Sequence, residues 1–279
     1  MMNSLYNQVC QISSKTTTQK YSTSFSLGIL MFQKSILQPI YDIYGFVRFA
    51  DEIVDTYSGN KKEAVFNEFK QEAFNAIERK ISFNPIIHSF KLTFNRYEMD
   101  IELVKSFLTS MEMDLYQINY DPEAYKKYIY GSAEVVGLMC LHVFVNNPNE
   151  FKRLKPYALA LGSAFQKVNF LRDLRSDYYE RGRVYFPSAD FTRFTPRDKM
   201  NIESEIESEF NYAFEGIKQL PKSCRFGVLL AYKYYAQLFR KIKAQPIESL
   251  LNNRVRISNL EKIFILLRLL IFRRVCMLR

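Results

Sequence analysis

The 279 residues carry 39 lysines and arginines against 29 aspartates and glutamates, a net charge of +10 that suits nucleic acid, an anionic membrane surface or acidic small substrates. Nucleic acid is set aside, because the basic residues are dispersed and no recognition motif is visible. Cys10, Cys140, Cys224 and Cys276 lie far apart without C-x-x-C spacing, and with only two histidines they argue against a zinc site and for a reducing compartment.

In chain order, residues 1–20 are polar and predict a first short helix, LYNQVCQISSK. Ser22 to Leu30 follows, where Ser22 or Ser24 can cap a helix that places Phe25 in the core. Tyr41 to Asp55, YDIYGFVRFADEIVD, predicts a helix with Pro39 in its first turn and Ser58-Gly59-Asn60 at its end. At 100° per residue Tyr44, Arg48, Asp51 and Asp55 share a polar stripe roughly 60° wide, with Glu52 beside it. The other faces carry Ile40, Ile43, Phe46, Val47, Phe49, Ile53 and Val54.

Lys61 to Arg79 is amphipathic and reads as scaffold, and Asn84-Pro85 breaks the pattern. Residues 86–117 are apolar-rich and end in MEMDLYQINY, where Asp114 has no aspartate one turn away. Tyr125 to Val145 puts Tyr130, Ala133, Glu134, Gly137 and Leu141 on one face. Small residues there leave room for a long apolar ligand, or let a neighbouring helix pack closely; the residues are consistent with both.

Phe151 to Glu180 carries a second polar stripe, Gly162, Gln166, Asn169, Asp173 and Asp177, roughly 80° wide. Phe165, Val168, Phe170 and Leu171 make most other directions apolar, so this stripe points into a cavity more readily than into water. Arg181-Gly182-Arg183 then leaves the helix, as a flap over phosphates or as a solvated loop. Phe191 to Asn201 reads as loop, with Thr195-Pro196 as a helix start. Ile202 to Leu220 and Cys224 to Ile242 are helices, the latter carrying Tyr232, Tyr234 and Tyr235, which cannot share one face. The tail from Arg254 to Arg279 is basic and apolar; it packs as a final helix or lies on a membrane. Its apolar run, Ile263 to Phe272, is too short to span a bilayer. No signal pattern opens the chain, so a cytoplasmic location is expected, with membrane association left open.

Each aspartate pair is one turn apart, and the repulsion costs a few tenths of a kcal/mol on a bare helix. A lone D-x-x-x-D is more often a solvated face, but two such pairs on apolar helices invite cations. Hard divalent ions take carboxylate and amide oxygens, and Mg²⁺ commonly combines one or two carboxylates with substrate phosphates. Two facing helices can hold a cluster of Mg²⁺ between them, and a diphosphate bridging those ions becomes a good leaving group. Arg48 and Arg172 are natural diphosphate clamps, since guanidinium donates two parallel hydrogen bonds.

YGFVRFADEIVD and FQKVNFLRDLRSDYYERGRVYFP resemble the squalene/phytoene synthases, as do Ser22-Thr23-Ser24-Phe25, Met113-Asp114-Leu115 and YIYGSAEVVGLM, together covering about residues 20–260. The resemblance implies an all-α, single-domain isoprenoid synthase helical bundle over 1–279, with a central cavity and a basic apolar helix at about 259–279. It implies metals on Asp51, Asp55, Asn169, Asp173 and Asp177, with Arg48 and Tyr44 joining the aspartates in catalysis. Phe25, Arg48, Tyr130, Gln166, Asn169, Arg172, Arg183 and Tyr235 are implied to bind substrate; Asp114, without a partner aspartate one turn away, reads as a residue supporting the site from behind or as a helix-end cap. Glu134 departs from the family, which has a small residue there. Nineteen tyrosines and 24 phenylalanines mostly fill a core, but ring faces also suit carbocation chemistry.

The implied reaction is a 1-1′ condensation of two prenyl diphosphates through a cyclopropylcarbinyl diphosphate. The RGRVYFP ending and the lack of an anchor favour the carotenoid branch, two geranylgeranyl diphosphates giving phytoene. The alternative is squalene or dehydrosqualene from farnesyl diphosphate, the squalene version requiring NADPH. A non-catalytic helical scaffold or lipid-binding relative, and a class I terpene cyclase, are the readings of other kinds. Oligomeric state is not legible.

Overall fold

Four helices begin where the sequence places a capping side chain before a proline. Asn84 caps α5 (Pro85–Arg96), Asp121 caps α7 (Pro122–Ile129) and Asn147 caps α9 (Pro148–Arg175), each accepting two backbone N–H bonds. Thr195 and Asp198 form a reciprocal capping box on α10 (Pro196–Gln219). The remaining helices are α1 (Ser4–Tyr21), α2 (Thr23–Leu30), α3 (Lys34–Asp55), α4 (Lys62–Arg79), α6 (Ile101–Tyr116), α8 (Val135–Phe144), α11 (Lys222–Lys243), α12 (Ile247–Asn252) and α13 (Asn259–Met277). The computed structural model describes residues 4–57, 59–116, 119–187 and 195–277, with side chains as far as Ile271. Among these the only β pairing is one isolated parallel bridge, Asn119 to Val184. The all-α expectation holds.

Several boundaries differ from expectation. The helix bearing the first aspartate pair starts at Lys34, so Pro39 lies inside it rather than in its first turn. Ile36, Pro39, Ile40 and Ile43 form a continuous buried face, and that burial carries the helix through the missing proline donor. The apolar-rich stretch from Ile86, for which no helix bounds were expected, is divided between α5 and α6 at a bend where Glu98 adopts φ 46°. The segment 125–145 is interrupted by a π-helical turn at Tyr130–Glu134. There Gly131 presses so closely on α6 that a Cβ would overlap Ser110 Oγ and the Ser106 carbonyl. Of the expected loop 191–201, residues 191–194 lie outside the described residues and the rest is already leading into or within α10. Ser58, expected in the stop signal after α3, also lies outside them.

One connected core cluster runs from Ile29 to Leu250, with Phe46 stacked on Phe90 at 4.1 Å near its centre. α9 packs along α10 and α8, α8 on α3, and α11 on α2. These helices enclose a cavity of about 300 Å³. α13 rests mainly on α11: Tyr234 donates to the Lys262 carbonyl (3.2 Å), and Lys241 pairs with Glu261 (3.1 Å).

Candidate active site

The cavity is apolar over most of its wall, through Phe32, Val136, Leu161, Phe165 and Ala231 among others. Its polar lining includes Ser132, Gln166, Asn169, Tyr44 and Tyr235. Ser22 caps α2 by accepting from the Phe25 N–H (3.1 Å), and the same turn sets the Phe25 ring against Tyr44 (5.5 Å) and Tyr235 (6.0 Å). Capping and pocket lining are therefore compatible at this segment. Tyr235 stacks on Phe165 (3.9 Å) and donates to the Asn169 carbonyl oxygen (3.2 Å), whose amide in turn donates to Gln166 (3.4 Å). Tyr232 and Tyr234 turn elsewhere, to Phe210 and to α13.

The four motif aspartates gather at one end of this cavity, Asp51 and Asp55 at the end of α3, Asp173 at the end of α9 and Asp177 in the π-helical turn Ser176–Glu180 that follows it, and every one is paired with arginine. Arg48, itself over the Tyr21 ring at 4.5 Å, bonds Asp51 and Glu52. Arg172 grips Asp173 through both carboxylate oxygens (3.0 and 2.5 Å), and Arg254 reaches the same group at 2.6 Å. Arg181 bonds Asp177 (3.0 Å) and also reaches Asp55 (3.5 Å), so a single guanidinium spans the two motifs. Arg183 holds the other oxygen of Asp55 at 2.9 Å. The two aspartate helices therefore do face each other.

Electrostatics tell the same story. Burial, then the Asp55 charge, pushes the Asp51 carboxyl up to about 7 despite Arg48. Burial and Asp173 push Asp177 up to about 7 despite Arg181. Burial also works against ionised Asp173, yet Arg172 and Arg254 hold it below its ordinary value. Cationic charge is what this cluster needs, and five arginines supply it here.

As they stand, no three carboxylates, thiols or imidazoles among the described residues converge as a metal cage. The donor set nevertheless fits a hard divalent ion: oxygen ligands only, from two opposed helices, with two carboxyls that burial and mutual repulsion keep short of compensating charge. Asn169 stands one turn before Asp173 on the same stripe and lines the cavity.

Two expected residues are placed differently. Tyr130 is 38% exposed, outside the cavity lining, with Glu134 and Asp100 as its charged neighbours. Arg183 is neither a flap nor a solvated loop residue; it is 8% exposed and tied to Asp55 and Asp114. Glu134 is half-buried, outside the lining, and raised to about 7 by burial and by Glu209, with Lys167 opposing. Sequence reasoning missed Arg254 and Arg181 as aspartate partners, and Tyr120, Tyr128 and Tyr185 around Asp114. Nothing in the spacing could have linked Arg254 to an aspartate 81 positions earlier.

The squalene/phytoene synthase family profile matches residues 18–261, nearly the whole chain. The chain belongs to the squalene/phytoene synthase family. It is 25% identical over 275 residues to the phytoene synthase of Arthrospira platensis, covering 89% of this chain and 88% of that one. It is 28% identical over 280 residues to the 15-cis-phytoene synthase of Synechocystis sp., covering 90% and 82%. Among solved structures, a dehydrosqualene synthase crystallised with ligand superposes at TM-score 0.80 and 20% identity, covering 96% of this chain and 98% of that one. A squalene synthase from Alicyclobacillus acidocaldarius gives 0.75 at 18% identity, covering 86% and 95%. The squalene/phytoene synthase fold is thus shared across these chains, and the family is one of prenyltransferase-type enzymes.

Proposed function

We propose that this chain condenses two prenyl diphosphates 1-1′, and that its substrate is the C20 geranylgeranyl diphosphate, giving phytoene. The observation that carries the condensation is the pair of aspartate motifs joined by Arg181 at one end of an apolar cavity. The C20 choice draws support from the named relatives, which are phytoene synthases. Asp51, Asp55, Asp173, Asp177 and Asn169 would hold Mg²⁺, with Gln166 orienting Asn169. Bound there, the ions would neutralise charge developing on a departing diphosphate.

The chain's own residues do the rest. Arg48, Arg172 and Arg181 already sit among the aspartates and can turn their guanidiniums to phosphate oxygens. Tyr44, raised to about 12 by burial, stays protonated and can donate to the same oxygens. Phe25, Phe165 and Tyr235 wall the adjoining cavity with ring faces, which attract an allylic cation. Loss of diphosphate from one substrate leaves that cation, which the second substrate's double bond attacks. Loss of a proton closes the ring of the cyclopropylcarbinyl diphosphate. That intermediate loses its own diphosphate, rearranges and gives up a second proton to end as the neutral hydrocarbon, the released diphosphate being the base at hand, while the apolar wall excludes water. One domain serves the whole reaction.

The outer stripe of α13 supports contact with an anionic membrane. Leu260, Ile263, Phe264, Leu267 and Ile271 fall within about 100° of helix and are all exposed, Phe264 by 67%. Lys262 on this helix bonds Thr23 (2.7 Å), two residues before Phe25, so the apolar stripe begins beside the cavity. Among the described residues no helix is long and apolar enough to cross a bilayer. A helix lying in the interface, flanked by basic residues, fits that combination. Sedimentation with vesicles of phosphatidylcholine and phosphatidylglycerol should carry the protein down, and Phe264→Glu with Leu267→Glu should leave it in solution. Equal sedimentation of both forms would refute the contact.

The deciding experiment for the reaction is a product assay with Mg²⁺, C15 or C20 diphosphate, with and without NADPH, read by mass. A C40 hydrocarbon formed without NADPH establishes phytoene synthesis. A C30 product replaces it with squalene or dehydrosqualene synthesis, NADPH dependence separating the two. No product from folded protein refutes catalysis.

A further inference from the structure

Behind the aspartate cluster lies a buried polar network that the reaction described above does not use. Asp114, at the end of α6, is 8% exposed and accepts hydrogen bonds from three tyrosine hydroxyls: Tyr128 (2.7 Å), Tyr185 (3.0 Å) and Tyr120 (3.2 Å). Arg183 completes the cage. Its Nη2 donates to the Asp114 backbone carbonyl (2.8 Å), its Nη1 stands 3.6 Å from the Asp114 carboxylate, and Tyr185 accepts from it at 3.3 Å. From there Nη1 reaches out to Oδ1 of Asp55 at 2.9 Å. Backbone geometry locks the arginine in place as well. Gly182 takes φ 66°, the Arg183 N–H donates to the Asp177 carbonyl (2.7 Å), and Val184 bridges to Asn119. A guanidinium so anchored is not free to fold over a phosphate.

Arg181, two residues earlier, is more exposed and touches Asp55 through the opposite oxygen, Oδ2. The two arginines thus divide one carboxylate: one oxygen is held from the buried side, the other faces the space between the motifs. We propose that Asp114 and Arg183 are positioning residues for Asp55. Asp114 anchors Arg183, and Arg183 fixes Oδ1 of Asp55 so that Oδ2 alone is presented to a divalent ion when Arg181 turns away. This rests on the reading of Asp55 as a metal ligand. Groups that orient a ligating side chain typically contribute 10- to 100-fold to metal affinity. Two residues acting through one path should also be strongly non-additive.

The test needs no turnover. Mn²⁺ alone is titrated into the purified full chain and followed by loss of the free-ion paramagnetic resonance signal, with circular dichroism as the check on folding. Arg183→Gln and Asp114→Asn should each weaken Mn²⁺ retention by about 10- to 100-fold. Their combination should be no weaker than the worse single variant, and Arg183→Lys should recover part of the loss. If Asp114→Asn does not fold, Tyr185→Phe, which removes one hydroxyl from the same cage, should give a smaller loss in the same direction. Unchanged retention in the folded variants, or additive losses, would overturn the proposal. So would tighter binding, which marks Arg183 as a mere competitor for Asp55. No Mn²⁺ retention by the wild type would overturn the ligand reading of Asp55 together with this one, whereas product formation is scored separately.

Discussion

At the scale of single residues, the cavity mouth is built from side chains whose charge is unfavourable unless matched. Asp51 and Asp177 are pushed up to about 7, and both belong to pairs one turn apart. Replacing either by asparagine keeps the shape and removes one negative ligand. Asp51→Asn or Asp177→Asn should lower turnover by about 100-fold or more, with helix content unchanged by circular dichroism. Near-normal turnover would remove these residues from the metal set. Glu134 makes the opposite case. Its side chain lies outside the cavity lining, within electrostatic reach of Glu209 and Lys167. Glu134→Gly should therefore leave substrate-length preference unaltered in a C15 against C20 competition. A shifted preference would mean the side chain reaches the cavity after all.

Among elements, the π-helical turn between α7 and α8 does the most to shape the cavity wall. Gly131 lets it approach α6, and Gly162 lets α9 approach Ala133 and Glu134 from the other side, where a Cβ would stand 2.8 Å from the Ala133 carbonyl. Both neighbours are backbone, or side chains fixed against it, and cannot yield cheaply. Gly131→Ala should cost about 1–3 kcal/mol of stability, the usual range for overpacking, measured as a lower urea midpoint. An unchanged midpoint would show that α6 can shift. The small-residue face that the sequence left ambiguous is thus both things: Ala133 and Gly137 line the cavity, and Gly137 also packs closely on α9, where a Cβ would stand 2.9 Å from the Ala158 carbonyl.

For the molecule as a whole, buried charge sets how stability depends on pH. Asp42 of α3 is fully buried and accepts from Thr93 (2.7 Å), Gln38 (2.7 Å) and Ser89. Burial nonetheless pushes its carboxyl up to about 6, those hydrogen bonds opposing. The folded state therefore prefers the proton, so this contribution is complete below about pH 4 and is lost as pH rises through about 6. The loss is at most about 3 kcal/mol. Asp42→Asn should flatten the fall in urea midpoint between about pH 4 and 6.5, while an unchanged slope would assign it to other groups.

The sequence by itself determined the helical class, because apolar periodicity and cap-proline pairs act locally: Asn84, Asp121, Asn147 and Thr195 each start a helix where they stand. It also determined which face of α3 is polar, since a helix of fixed pitch places Asp51 with Asp55 on one side; after Asp173 the chain widens into the π-helical turn Ser176–Glu180 that carries Asp177, and the two carboxylates still interact. Only the tertiary structure decided what meets those faces. Arg254 on Asp173 and the Asp114 cage on Arg183 join residues 69 to 81 positions apart, a relation no local spacing encodes. Ion pairs of that kind depend on helices held together by the burial of Phe46, Phe90 and their neighbours. Those helix axes, and with them the depth of the cavity and the partners of each aspartate, follow from packing the whole core at once.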